Sequence, residues 1–142
     1  MTGRLALDTN VLLYALTRGS AFYEPAAAIL RGQTDCDLMA SELVVAELLS
    51  HDSVGSKAEY EKVDGLIRSQ VFEVVPVSAE VLYLAAGLRR EHRLTLADAI
   101  HVAAAVVGKA THFVTNDRDL RRCTVAGLEF LDLETVGRLM AR

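Results

Sequence analysis

Two aspartates in this sequence come directly after apolar segments that are typical of strands. Asp8 follows Leu-Ala-Leu, and Asp117 ends the segment His-Phe-Val-Thr-Asn-Asp. Because the carboxyl ends of parallel strands meet at one edge of a sheet, both side chains are expected at that edge. The structural alternative is helix capping, in which Asn10, Asn116 or Asp117 accepts hydrogen bonds from free backbone amides.

Glu47 is a carboxylate within an apolar stretch, on the same side of a predicted helix as Leu43 and Val44. An isolated carboxylate among apolar side chains is costly, so it calls for a proton, a cationic partner or a metal ion. His51 is the only basic residue within helical reach of it. In the alternative interpretation, the aliphatic stem of Glu47 crosses the edge of the helix and leaves the carboxylate in water.

Asp98 opens a segment that is apolar nearly all round, in which Asp98 and His101 are the polar residues and share one helix face. Thr95 and Asp98 also match a capping box, in which Asp98 would reach back to the backbone amide of Thr95. We interpret His101 as a helix-packing or hydrogen-bonded histidine, since these roles are more common than metal ligation. It is therefore left out of the predicted metal site.

Taken together, the four carboxylates would form a site rich in hard oxygen ligands: Asp8, Glu47, Asp98 and Asp117. Such ligands suit Mg²⁺ or Mn²⁺ rather than zinc. Without a cation, carboxylates gathered in this way repel one another and destabilise the fold at neutral pH. The sequence therefore predicts a magnesium or manganese site.

Short apolar runs alternate with helix-like segments along the chain, which predicts an α/β fold with a largely parallel sheet covered by helices on both faces. Strands are predicted at 5–7, 38–40, 72–77, 113–115 and 128–133. Helices are predicted at 11–16, 21–31, 42–50, 57–69, 79–92, 96–107 and 135–141. Ligands of such sheets bind beyond the carboxyl ends of the strands.

The length of 142 residues, with 51% hydrophobic residues, predicts one domain spanning 1–142. The longest uncharged apolar run, 99–107, is much shorter than the roughly 20 residues that cross a bilayer. Asp8 and Asn10 break the N-terminal apolar stretch before it reaches the length of a signal peptide. We therefore expect a soluble cytoplasmic protein without membrane contact. Cys36 and Cys123 predict neither a disulfide framework nor a zinc site.

The net charge of −4 and the pI near 5.5 are not typical of a protein that binds nucleic acid. Bound metal ions would, however, reverse the local field that a phosphate meets. Arginines also bracket two of the acids as candidate phosphate contacts, the alternative being an ordinary solvated helix face. Before Asp98 stand Arg89, Arg90 and Arg93, and after Asp117 stand Arg118, Arg121 and Arg122.

At these residues the chain resembles the PIN-domain nucleases, and specifically the VapC-like toxins of type II toxin-antitoxin pairs. The resemblance extends over almost the whole chain. It rests on Leu-Asp8-Thr-Asn10, on Ser41 with Glu47, on Leu-Ala-Asp98-Ala-Ile-His-Val-Ala-Ala and on Val-Thr115-Asn116-Asp117-Arg-Asp119-Leu.

The resemblance implies that the four carboxylates are the catalytic and metal-binding acids. It implies supporting roles for Asn10, Thr115, Asn116 and Asp119. It also implies a three-layer α/β/α PIN-like fold, an RNA substrate, a homodimer and a VapB-like antitoxin whose tail occupies the active-site groove. The expected activity is that of an endoribonuclease in which a metal-activated water attacks RNA and leaves a 5′-phosphate and a 3′-hydroxyl.

Two other functions stay open. A haloacid-dehalogenase-like phosphatase also has an essential Asp after its first strand, but it requires a second Asp at the position of Asn10 and gives Glu47 no role. A non-catalytic α/β module that binds a metal ion or a partner would have the same acidic pocket without turnover.

Overall fold

The computed structural model describes residues 2–141, which contain five strands and eight helices. The strands are β1 (Arg4–Leu7), β2 (Asp37–Ser41), β3 (Glu73–Val75), β4 (His112–Val114) and β5 (Glu129–Leu131). The helices are α1 (Thr9–Leu16), α2 (Tyr23–Leu30), α3 (Leu43–Leu49), α4 (Lys57–Arg68), α5 (Ala79–His92), α6 (Leu96–Val107), α7 (Arg118–Arg121) and α8 (Leu133–Met140).

The side chains of the strands alternate between two hydrophobic cores, one on each face of the sheet. In β1, Leu5 and Leu7 pack in the core that includes α1, α2, α3, α4 and α8, whereas Ala6 packs in the core that includes α5, α6 and α7. Successive side chains of a strand point to opposite faces, so apolar residues at every position call for helices on both sides. The predicted α/β/α architecture is confirmed.

All neighbouring strands are parallel, in the order β3-β2-β1-β4-β5. The chain first builds outward from β1 to β2 and β3, and then returns to the other side of β1 as β4. The strand order therefore reverses between β1 and β4, where Leu7 lies beside Val114. In open parallel sheets, the crevice beyond the carboxyl ends at such a reversal is where ligands bind.

Several predicted boundaries are wrong, and three of them have a clear local cause. The strand predicted at 72–77 ends at Val75, because Pro76 has no backbone N–H to continue the ladder. The strand predicted at 128–133 ends at Leu131, and the last helix begins at Leu133 rather than 135, because Asp132 caps α8. α7, which is only four residues long, was not among the predicted helices.

No helix in the described range 2–141 is both long enough and apolar enough to cross a membrane.

Candidate active site

The four predicted acids lie on four different elements that meet beyond the carboxyl ends of β1 and β4. Asp8 joins β1 to α1, Glu47 lies in α3, Asp98 is in the first turn of α6, and Asp117 joins β4 to α7. All four line one cavity of about 410 Å³, here called the acid pocket. Its other lining residues are Thr9, Asn10, Leu13, Ser50, His51 and Asp52.

Asp8 is the most buried of the four, with 6% of its surface exposed. It occupies the N-cap position of α1, yet its side chain makes no capping bond. Instead, Thr115 donates its hydroxyl hydrogen to Asp8 Oδ2 at 2.6 Å. Burial raises the pKa of Asp8, and the nearby charge of Glu47 adds to this, while the hydrogen bond from Thr115 opposes it. The helix-capping interpretation therefore does not account for this side chain.

Glu47 is held by two residues from other elements. Thr9 donates to Glu47 Oε1 at 2.7 Å, and His101 Nε2 is hydrogen-bonded to the same oxygen. Burial raises the pKa of Glu47, but the bonds from His101 and Thr9 outweigh burial, so its pKa lies below the ordinary value. The cationic or polar partner that the sequence called for is thus His101, 54 positions away. His101 is hydrogen-bonded, as we interpreted it from the sequence.

Asp98 is partly buried and lies at the N-terminus of α6. Its backbone amide donates to Thr95 Oγ1 at 3.2 Å, which confirms Thr95 as the cap of this helix. Burial raises the pKa of Asp98, and the charges of Asp8 and Asp117 raise it further. Asp98 therefore combines a helix-terminal position with strong repulsion from its neighbours.

Asp117 caps α7, as the structural alternative predicted. Its Oδ1 accepts from the backbone amides of Asp119 at 2.8 Å and Leu120 at 3.4 Å. Its own amide donates to Thr115 Oγ1 at 3.0 Å, and Thr115 in turn donates to Asp8. The cap therefore fixes Asp117 against the same threonine that holds Asp8.

The donor set of the acid pocket fits a hydrated divalent cation. Within residues 2–141, no three His, Cys, Asp or Glu side chains lie close enough to hold an ion by themselves. Mg²⁺, however, usually keeps several water ligands and binds through one or two carboxylates together with substrate phosphates, rather than in a closed protein cage. Burial raises the pKa of Asp8 and Asp98, and neighbouring carboxylates add to this. A bound cation would favour the ionised form of both side chains.

The supporting residues predicted from the sequence divide into two groups. Asn10 lines the acid pocket, and Thr115 binds Asp8 directly. Asn116 instead accepts from the backbone amide of Leu133 at 3.0 Å, which connects the end of β4 to the start of α8. Asp119 is exposed and lines a neighbouring cavity rather than the acid pocket.

That neighbouring cavity, here called the side pocket, shares Asp98 with the acid pocket and has a volume of about 340 Å³. It is lined by His92, Arg93, Leu94, Thr95, Asp98, Asp119, Arg122 and Cys123. Of the predicted arginines, Arg93 is therefore beside the acids, together with Arg122. Burial raises the pKa of the Cys123 thiol, and the nearby charge of Asp98 adds to this.

The other predicted arginines lie farther out. Arg118 and Arg121 line a shallow depression with Arg122, and Arg121 forms an ion pair with Asp132 at 3.3 Å. Arg89 and Arg90 are exposed near the end of α5 and line neither the acid pocket nor the side pocket. The structure thus brings only part of the predicted arginine set to the site.

Sequence reasoning missed Thr9, and it did not connect His101 with Glu47. The only sequence signal for His101 was its place one turn after Asp98 in an otherwise apolar helix. Thr9 had no signal beyond its place next to Asp8. The loop residues Ser50, His51 and Asp52 also line the acid pocket, and no motif marked them.

Comparisons with solved structures show the same fold at low sequence identity. One chain of VapBC2 from Rickettsia felis, bound to a promoter DNA fragment, has a TM-score of 0.69 and 21% identity over 91% of this chain and 98% of that chain. PAE2754 from Pyrobaculum aerophilum has a TM-score of 0.63 and 22% identity over 100% of both chains. DNA-bound VapBC from Salmonella typhimurium has a TM-score of 0.68 and 19% identity over 92% of this chain and 98% of that chain.

No curated protein sequence matches the chain. A family profile described as PIN domain, however, matches residues 5–125, which include most of β1, the acid pocket and the side pocket. This match covers well over half of the chain. The protein therefore belongs to the PIN domain family, whose members are generally nucleases.

Proposed function

We propose that this chain is a divalent-metal-dependent endoribonuclease and the toxin of a toxin-antitoxin pair. The observation that carries the proposal is the meeting of carboxylates from four separate elements in one pocket, at the reversal of strand order. A purely structural role does not call for this arrangement, because burial, with the neighbouring carboxylates adding to it, raises the pKa of Asp8 and Asp98 and reduces stability at neutral pH. Nucleases of the PIN family typically use divalent metal ions.

In this proposal Asp8, Glu47, Asp98 and Asp117 hold the ion, directly or through its water ligands. When bound, Mg²⁺ or Mn²⁺ supplies activation of a water molecule and neutralisation of charge at the scissile phosphate. Thr115 keeps Asp8 in place, and the first turn of α7 does the same for Asp117. The carboxylates act as ligands rather than nucleophiles, and a water molecule attacks the phosphate. Cleavage therefore leaves a 5′-phosphate and a 3′-hydroxyl.

RNA would approach the acids across the side pocket. Arg93 and Arg122 line this cavity beside Asp98, where their guanidinium groups suit contacts with phosphates next to the scissile one. Arg118 and Arg121 extend the positive surface along α7. This local cationic surface answers the objection from the net charge of −4. Arg89 and Arg90 are retained as weaker substrate contacts on α5.

The toxin assignment and the partners follow from the resemblance in sequence and from the similar folds. Two of the similar structures are VapBC assemblies, and another is described as a toxin-antitoxin complex from Klebsiella pneumoniae. We propose a VapB-like antitoxin that covers the active-site groove, and a homodimer in the cytoplasm. We also propose that residues 1–142 form a single domain.

The test is RNA cleavage by the purified chain with a structured RNA pool, in Mg²⁺ or Mn²⁺ and in chelator. We expect cleavage only with metal, and we expect Asp8→Ala and Asp98→Asn to abolish it. Asp35→Asn is the matched control, since Asp35 is exposed at the opposite edge of the sheet and its positive φ of 57° is tolerated by Asn.

Cleavage by the purified chain that persists in chelator, or that both Asp8→Ala and Asp98→Asn retain at the wild-type rate, would contradict the proposal. Metal binding without cleavage of any RNA in a varied pool would instead favour the non-catalytic binding module. Cleavage by Asp35→Asn at the wild-type rate would show that the loss in the other variants is specific to the acid pocket.

A further inference from the structure

The carboxylate of Glu47 is held through only one of its oxygens. Thr9 Oγ1 and His101 Nε2 are both hydrogen-bonded to Oε1. Across the described part of the chain, no hydrogen bond reaches Oε2. The side chain is 34% exposed and lines the acid pocket, so Oε2 is the oxygen that remains for a ligand there.

Only one ring nitrogen of His101 takes part in this contact. The residue is 3% exposed in the middle of α6, between the buried side chains of Ile100 and Val102. Its Nε2 contacts Glu47 and lies 3.3 Å from Thr9 Oγ1, whereas its buried Nδ1 has no hydrogen-bond partner within residues 2–141. Because a carboxylate oxygen only accepts, Nε2 carries the hydrogen of the bond.

The same geometry does not suit His101 as a metal ligand. A ligating histidine nitrogen needs a free lone pair, but the lone pair of Nε2 is not available while this nitrogen carries hydrogen and donates to Glu47. The other nitrogen is buried, and His101 is not among the residues that line the acid pocket. Its effect on the pocket therefore passes through Glu47.

We propose that His101 is a positioning residue that fixes the Glu47 carboxylate through its Nε2–H and leaves Oε2 available to the divalent ion of the acid pocket. This inference rests on the proposed function. A carboxylate that is already anchored through one oxygen loses little side-chain entropy when the other binds an ion. Without His101, the hydrogen bond from Thr9 remains, but the Glu47 carboxylate has more freedom to rotate on the partly exposed face of α3.

The experiment replaces His101 with each of two amide residues. Each amide places a hydrogen-bond donor near a different nitrogen of the former imidazole ring. Glutamine puts its amide nitrogen near the position of Nε2, whereas asparagine puts its amide nitrogen near the position of Nδ1. Mn²⁺ binding to the full chain, without RNA, is measured by isothermal titration calorimetry. We expect His101→Asn to weaken binding by about 10- to 100-fold and His101→Gln to stay within about threefold of the wild type.

The chain offers a matched control in a second pair of His and Glu. His112 Nε2 lies 3.3 Å from Glu129 Oε2, and both residues lie at the starts of their strands, at the other edge of the sheet. His112→Asn should leave the Mn²⁺ affinity unchanged.

Equal affinity in the wild type, His101→Gln and His101→Asn would overturn the positioning role and leave the nuclease proposal intact. A wild-type protein that binds no Mn²⁺ would overturn both.

A second measurement on the wild type covers the case in which the His101 variants do not fold. Nitrogen NMR of isotope-labelled histidine distinguishes the two ring nitrogens, and the other three histidines can be assigned by substitution at His51, His92 and His112. We expect hydrogen on Nε2 of His101 and a changed Nε2 signal in Glu47→Gln. Hydrogen on Nδ1 alone, or a signal that Glu47→Gln does not move, would overturn the proposal.

Discussion

Asp8 and Asp98 lie in the acid pocket under electrostatic conditions that differ from those of Glu47. Burial raises the pKa of both aspartates, and each also lies near other carboxylates. Glu47 has two hydrogen-bond donors on one oxygen, which lower its pKa in spite of burial. At neutral pH the two aspartates thus oppose folding unless a cation offsets their charge, whereas Glu47 is already compensated by the protein.

This difference leads to a prediction for Asp98→Asn in the metal-free protein. The pKa of Asp98 is higher in the folded state than in the unfolded state. Its favourable contribution to the free energy of unfolding is therefore fully present below the unfolded-state pKa, and it is lost as the pH rises through the folded-state pKa. We therefore expect the variant to be more stable than the wild type at neutral pH in chelator, measured by urea unfolding. The difference in the free energy of unfolding between Asp98→Asn and the wild type should become smaller at mildly acidic pH.

Asp98→Asn should also reduce metal-dependent cleavage by more than about 100-fold. Loss of a metal ligand has a larger effect than loss of a residue that is hydrogen-bonded to a ligand. Asp35→Asn should change neither stability nor cleavage appreciably, because Asp35 is exposed and remote. If Asp98→Asn destabilised the metal-free protein at neutral pH, the electrostatic description of the pocket would be wrong.

At the scale of helices and strands, the site exists because β1 and β4 end side by side. Each is followed by an aspartate, and α3 and α6 contribute their acids from the two opposite layers. Thr115, directly after β4, links the two strand ends through its bonds with Asp8 and Asp117. The pocket is therefore assembled by the topology of the sheet rather than by any one local motif.

The alternating pattern predicted all five strands and seven of the eight helices, because buried parallel strands and amphipathic helices leave strong periodic signals. What it could not predict depends on single side chains. Pro76 shortens β3, and the caps Asp117 and Asp132 determine where α7 and α8 begin. A four-residue helix such as α7 is too short to show a period.

The cap of α8 gives a prediction at this scale. Asp132 Oδ1 accepts from the amide of Thr135 at 2.7 Å, and hydrogen bonds from Thr135 lower the pKa of Asp132. We expect Asp132→Ala to reduce the free energy of unfolding by about 1 kcal/mol, the usual cost of losing an N-cap. Asp132→Asn should retain most of the stability, because asparagine caps helices equally well.

The lowered pKa of Asp132 also determines how its contribution to the free energy of unfolding depends on pH. The stabilisation by Asp132 is present above its unfolded-state pKa and is lost as the pH falls through the folded-state pKa. The difference between the wild type and Asp132→Ala should therefore narrow in acid, measured by urea unfolding across a pH series. A difference that stays constant into strong acid would contradict the role of the ionised carboxylate.

At the scale of the whole molecule, the charge is negative overall but unevenly distributed. Six of the 15 Lys and Arg residues lie in the two segments that flank Asp98 and Asp117 in sequence. The structure places Arg93 and Arg122 in the side pocket with Asp98, while Arg122 and Arg121 also pair with Asp119 at 3.8 Å and with Asp132 at 3.3 Å. The positive charge near the acids is therefore local and partly offset by neighbouring carboxylates.

That the four acids lie close together could be predicted from the sequence, because each interrupts an apolar segment or follows one. Their partners could not. Thr9 and His101 are 92 positions apart, and Thr115 and Asp8 are 107 apart, so these contacts depend on the complete fold. The same holds for the arginines, since their sequence neighbourhood was similar but only Arg93 and Arg122 reach the side pocket.

The proposed homodimer gives a prediction at this scale. Large apolar side chains are exposed on α5 and at the start of α6, where Leu82 is 46%, Tyr83 is 83% and Leu96 is 52% exposed. Leu82 and Tyr83 are adjacent on α5, and neighbouring exposed apolar side chains of this size are typical of a contact with another protein. We expect the wild type to sediment as a dimer in analytical ultracentrifugation and Tyr83→Lys to weaken the dimer.

The expected weakening is about 30-fold in the dissociation constant, since a central aromatic residue contributes about 2 kcal/mol to an interface. Tyr60→Lys is the matched control, because Tyr60 is 48% exposed on α4 and lies on the other layer of the fold. A Tyr83→Lys protein that dimerises as well as the wild type would assign the dimer contact to another surface.

The most direct test of the central claim, that the acid pocket hydrolyses RNA with a divalent metal, is the chemistry of the product ends. A short RNA that the purified chain cleaves in Mg²⁺ would be analysed by mass spectrometry. Attack of a water molecule on the phosphate is expected to leave a 5′-phosphate and a 3′-hydroxyl at the cut. A 2′,3′-cyclic phosphate with a 5′-hydroxyl would show attack by the RNA's own 2′-hydroxyl and would contradict the account.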